Sequence, residues 1–199
     1  MPASLRRLSA IIVFAPIAFL IMINAHEIGH TLLARALGDD DAAYYMYKRF
    51  DVDKACFGCN IYDARKLSEF GNMLVTLGGV LSSQLVVLVL VWLWSRRVRL
   101  HDHRHLIVTA IIVFASDVPF QVFRGIQADV AGQARLTRID LADFLFLLHK
   151  AFAIPVDAGK MGLLVLAITY CLLLFRAVRH QMWRPRTVSA PGRNAAGAG

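Results

Sequence analysis

The segment His26-Glu27-Ile28-Gly29-His30 holds the residues of this chain whose types and spacing suit metal chemistry. In a helix, positions i and i+4 share one face, about one turn apart, so two imidazoles there can bind one Zn²⁺ together. Water is a poor nucleophile at neutral pH. Coordination to zinc lowers its pKa to about 7, and a glutamate between the histidines is placed to take the released proton. The expected roles are His26 and His30 as metal ligands and Glu27 as general base. Gly29 leaves room for a neighbouring backbone to come close. The competing reading is a satisfied polar cluster that bridges to another helix, or polar residues emerging at a helix end.

The elements that must position these residues are membrane spans. The 199 residues are 57% hydrophobic and 18% charged, whereas soluble domains average about 45–50% apolar and about 25% charged. The excess sits in blocks, which excludes a disordered or collagen-like chain and argues against a soluble globular enzyme. A spanning helix needs about 20 apolar residues. Four stretches qualify: Leu8–Ala25, continuing helically through the metal-type segment to Gly38; Gly71–Trp94; Leu106–Phe123, interrupted by Asp117 and Pro119; and Met161–Phe175, extended by Arg176 and Ala177. Asp140–Phe152 is apolar but too short to span. The predicted fold is all-α: a polytopic bundle of four transmembrane helices plus a short re-entrant or interfacial helix. Residues 1–180 form one membrane-embedded domain, and 181–199 a flexible cytoplasmic tail. No small-residue cleavage site follows the first span, so it is not read as a removed signal peptide.

Charge sets the orientation. Lys and Arg number 22 against 14 Asp and Glu, a net +8. The positive residues flank apolar blocks and do not form a face with interleaved aromatics, so the partner they imply is the lipid bilayer, not nucleic acid. Arg6 and Arg7 precede the first span, Arg96, Arg97, Arg99 and Arg104 separate the second and third, and Arg176, Arg179, Arg184 and Arg186 follow the fourth. All three groups fall on one side of a four-span protein. Both termini are therefore expected in the cytoplasm, with the protein in a bacterial-type inner membrane and the connections 38–69 and 125–159 outside. Counting from Leu8, His26 lies about 27 Å along the first helix, near the outer face. Of the acidic residues only Glu27 and Glu69 are glutamates, and the first sits inside an apolar helix, where an ionisable group is costly without a partner.

The segment Ala25–Gly38, AHEIGHTLLARALG, resembles the first core helix of the site-2 protease family, intramembrane zinc metallopeptidases. Gly71–Val87, GNMLVTLGGVLSSQLVV, is similar to the family's Gly-rich second core helix. The resemblance implies a membrane-embedded zinc peptidase with His26 and His30 as ligands and Glu27 as base. It also implies a third ligand, an Asp in an LDG motif that opens a helix after a Pro-containing stretch. This chain has no LDG. Asp140 is the first choice, since it opens an apolar helix where a carboxylate suits the N-terminus, with an ordinary helix cap as the competing reading. Asp117, inside a span, is the alternative third ligand, and Asp129 ranks below both.

The function expected from these residues is a zinc-dependent intramembrane or membrane-proximal endopeptidase, acting on a membrane-protein or peptide substrate by metal-activated water. The alternatives are a catalytically inactive metal-binding membrane scaffold of the same family, which the missing LDG favours, or a small transporter lined by Asp117 and the histidines. Oligomeric state and the membrane side of the site stay open. Cys56 and Cys59, in CFGC, are read as a disulfide in an outer loop. Cys171 is read as a small hydrophobe packed within the fourth span, and His101, His103 and His105 as residues of a solvated loop. Asn72, Gly78, Gly79, Ser82 and Ser83 suit close helix packing. The orientation is testable by thiol labelling of intact cells with single-cysteine variants after reduction. Cys56 is expected to label from outside, and labelling only after membrane disruption would invert the topology.

Overall fold

The computed structural model describes residues 3–51, 54–95, 104–130 and 139–182. Helix α1 (Ala3–Ala36) is followed by strands β1 (Ala43–Asp51) and β2 (Lys54–Ile61) and a single 3₁₀ turn at Ala64–Lys66. Then come α2 (Glu69–Ser95), α3 (Arg104–Ala115), α4 (Asp117–Gln127), α5 (Asp140–Phe152) and α6 (Val156–Met182). The helical fold is the expected one. Four helical stretches are long and apolar enough to cross a membrane: Ser4–Ala36, Glu69–Ser95, α3 with α4 over Arg104–Gln127, and Val156–Arg179. Residues 183–199 of the expected tail, and Arg96, Arg97, Arg99, His101 and His103 of the basic connection, lie outside the described residues.

The third span is broken where its sequence is polar. α3 ends at Ala115, Ser116 forms a turn, and α4 begins at Asp117. Pro119 then falls in the first turn of α4, where its missing N–H costs no intrahelical bond. α5 closes on Ala153, which adopts the left-handed conformation at φ 53° and donates its N–H to His149 O, and Pro155 blocks continuation.

One element goes beyond the helical expectation. The connection after α1 contains an antiparallel hairpin, with Tyr44 opposite Asn60 and Tyr45 opposite Cys59. Its aromatic-rich strands suit a pleated, half-buried surface. The hairpin folds back on α1 rather than projecting from it. Tyr44 Oη donates to Asn24 Oδ1, and Thr31 Oγ1 donates to Asn60 Oδ1 at 3.1 Å. The two ends of the connection are tied by Asp39, which is buried. Its carboxylate accepts the Asp63 N–H at 2.7 Å and the Lys66 ammonium at 3.1 Å.

The bundle core is small and apolar around Met22, Val87, Ile111 and Phe114, whereas large side chains of α1, α2 and α6 such as Ile12, Leu88 and Leu172 face outward, as lipid contact requires. α1 and α2 touch backbone to backbone. A Cβ on Gly78 would lie 2.9 Å from Gly29 O, and one on Gly29 would collide with the Gly78 carbonyl. Ser82 Oγ donates to Ala25 O at 2.8 Å one turn away. Small residues at a crossing are what lets two membrane helices gain contact and polar bonds without a hydrophobic drive.

Gly29→Leu should therefore force the helices apart and destabilise the protein by about 1–3 kcal/mol or more. Gly162→Ala, where an added Cβ meets nothing within 4 Å, should be neutral or slightly stabilising. Unfolding midpoints in mixed detergent–SDS titrations measure both, and equal midpoints for the two variants would refute the close-packed crossing.

Candidate metal centre

Four helices deliver the polar residues of the bundle to one point. α1 contributes His26 and His30, α4 contributes Asp117 and Gln121, α5 contributes Asp140, and α2 supplies the wall. His26, His30, Asp117 and Gln121 are all buried. His26 Nε2 lies 2.7 Å from Asp140 Oδ2 and 3.2 Å from His30 Nε2, and His30 Nε2 lies 3.3 Å from the same Asp140 oxygen. The ligand atoms of His26, His30 and Asp140 all fall within 4.8 Å of one another.

The far edges of the two rings are already occupied. His26 Nδ1 donates to Asp117 Oδ2 at 2.8 Å, and His30 Nδ1 donates to the Val75 carbonyl at 2.5 Å. Those bonds fix the tautomers, so both Nε2 atoms present lone pairs to the same space as the Asp140 carboxylate. Asp117 is held in turn by Ser83 Oγ at 2.5 Å. Gly79 makes the space: a Cβ there would fall on the Nε2 edges of both imidazoles. The donor set fits a divalent cation. Each Nε2 has one lone pair, yet His26 Nε2 faces Asp140, His30 and Gln121 at once, and a cation satisfies what a single proton cannot.

Asp140 and Asp117 thus take different places. Asp140 is the first residue of α5, and Ile139, which cannot cap through its side chain, occupies the cap position. The Asp140 carboxylate goes to both histidines. Asp117, the alternative third ligand, lies on the opposite edge of the His26 ring, outside the triad. Depth counting places Asp117 about 18 Å into the third span, shallower than His26. The two nevertheless touch, His26 Nδ1 and Asp117 Oδ2 lying 2.8 Å apart. Asp129 is exposed beyond α4 and takes no part in the triad.

A cavity of about 420 Å³ opens beside the triad under the hairpin, lined among others by Glu27, His30, Asn60, Tyr62 and Asp140. Burial, with Asp143 and Asp140 nearby, pushes the Tyr62 phenol up to about 12. Cys56 and Cys59 also line it and are joined as a disulfide, Cα to Cα 5.9 Å. Asn72 is buried, and its amide donates to Ala64 O at 2.9 Å and Ser68 O at 3.2 Å in the segment just before α2. Cys171 does not pack within the bundle; it is exposed on α6.

The endopeptidase expectation is overturned by this arrangement. The assembled group is a His/His/Asp ligand triad, an arrangement that shows metal binding and does not bear out hydrolysis. Glu27 lines the neighbouring cavity together with Asn60 of β2. Metal-binding and membrane character are supported; zinc hydrolase and protease activity are not. The alternative, a metal-binding membrane scaffold, fits better.

Sequence reasoning missed Gln121 and the Val75 carbonyl. The signal for Gln121 was present: it stands four residues after Asp117, on the same face of an otherwise apolar helix. The Val75 carbonyl has no sequence signal. No family model, curated protein or solved structure matches the chain.

Zinc per purified chain separates the roles. Asp140→Ala and Gly79→Ala should both lose bound zinc, the first by removing a ligand and the second by displacing two. Asp117→Asn should keep it with affinity lowered about 10–100-fold, as for other partners of ligating histidines. Full occupancy in Asp140→Ala with loss in Asp117→Asn would exchange the two assignments.

Proposed function

We propose that this protein is an integral membrane metal-binding scaffold that holds one zinc ion through His26, His30 and Asp140. The observation that carries the reading is the convergence of two Nε2 atoms and one carboxylate oxygen while both Nδ1 atoms are engaged elsewhere. Two imidazoles and a carboxylate suit zinc, which takes nitrogen and oxygen ligands at about 2.0–2.2 Å in tetrahedral sites. When bound, the ion supplies a positive charge that neutralises buried carboxylate and a cross-link between helices distant in sequence. The chain's own residues do the rest: Asp117 and Val75 orient the rings, Ser83 holds Asp117, and Gly79 leaves the space.

The likeness of Ala25–Gly38 and Gly71–Val87 to the site-2 protease core helices supports a non-catalytic relative of that family, in which the helix pair is kept for its metal site. Cytoplasmic termini, a bacterial-type inner membrane and a hairpin on the outer side belong to the same reading, supported by the arginines flanking the spans.

The test is the metal content of the full chain purified in detergent, with its thermal stability before and after chelation. About one zinc per chain is expected, together with a lower melting temperature once the ion is removed, because an ion bound only by the folded state stabilises it. Glu27→Gln should leave zinc content unchanged. A wild-type protein that retains no zinc after incubation and dialysis would refute the proposal.

A further inference from the structure

Gln121 is 7% exposed, and its Oε1 is buried without a hydrogen-bond partner. An unsatisfied buried amide oxygen is costly, so its place in a membrane bundle calls for a partner. The same amide's Nε2 lies 3.5 Å from His26 Nε2, at the edge of the triad. A half-turn of the terminal amide exchanges oxygen and nitrogen without moving any other atom and presents the oxygen to the ligand set. α4 aims two side chains at His26, one turn apart: Asp117 to its Nδ1 edge and Gln121 to its Nε2 edge.

We propose that the Gln121 amide oxygen is the fourth protein ligand of the metal, closing the site as His₂AspGln. The proposal deepens the metal-binding reading and rests on it. Structural zinc sites are closed by four protein ligands, whereas catalytic sites keep one position open. A closed set suits a scaffold and gives the orphaned oxygen its partner. It also makes the site selective for small cations that accept two imidazoles and two oxygens in four-coordination.

The experiment loads the full chain in detergent with cobalt(II) and records its visible spectrum with and without azide. The neighbouring cavity reaches His30 and Asp140, so azide has access, and its effect reports an open coordination position. Wild type should show the intense bands of four-coordinate cobalt and no response to azide. Gln121→Ala should bind cobalt at least about tenfold more weakly and respond to azide, whereas Gln121→Glu, which keeps an oxygen, should not respond. An azide response in wild type overturns the proposal, whether or not Gln121→Ala folds. So does a Gln121→Ala protein with wild-type affinity and spectrum. In both cases the metal-binding reading survives, whereas a wild type that takes up neither cobalt nor zinc defeats both.

Discussion

His26 is clasped through both ring nitrogens by carboxylates from two other helices, and the rest of the bundle is arranged around that contact. Asp117 arrives on α4 and Asp140 on α5, 2.8 and 2.7 Å from opposite edges of the ring. Buried carboxylates in an apolar bundle are tolerable only when paired or bound to a cation. The two that touch His26 bring two negative charges, which one divalent ion balances. Pairing with protonated histidine alone would place two like charges on neighbouring imidazoles whose centroids are 4.9 Å apart. The break between α3 and α4 at Ser116 and the start of α5 at Asp140 are the backbone adjustments that bring the carboxylates to the ring.

The same contact explains the glycines of α2. Two imidazoles on α1 can sit inside the bundle only if the facing helix lacks side chains at their level. Gly78 admits the α1 backbone, and Gly79 admits the rings. Ser82 and Ser83 then use the short distance, one bonding the Ala25 carbonyl and the other Asp117. A stripe that reads in the sequence as generic helix packing is thus position-specific, each small residue having its own neighbour.

Much of this was legible before the fold. Four apolar blocks marked the spans, and the bounds of the short helix Asp140–Phe152 are those of α5. The i, i+4 spacing put His26 and His30 together, because helix geometry alone decides that. Asp140 was suggested by its place at a helix start but not fixed by it, since a cap has the same sequence appearance; only tertiary structure sends its carboxylate to the histidines. The hairpin was missed because a loop bounded by spans draws attention to its charges, Asp39 to Asp41, and not to the tyrosines of β1. Residue counting along each span did not bring Asp117 level with His26, whereas in the fold the two are in contact.

The fate of Glu27 shows what spacing leaves open. Position i+1 is rotated about 100° from His26, so the glutamate faces a different neighbour from the one the histidines share. What it meets there depends on the element that covers that side of α1. Here that element is β2: Gly58, at φ 64°, packs against Ile23 with Glu27 close by. The pattern of two histidines and a glutamate therefore specifies a ligand pair by helix geometry, while the chemistry of the glutamate is assigned by the strand laid against it.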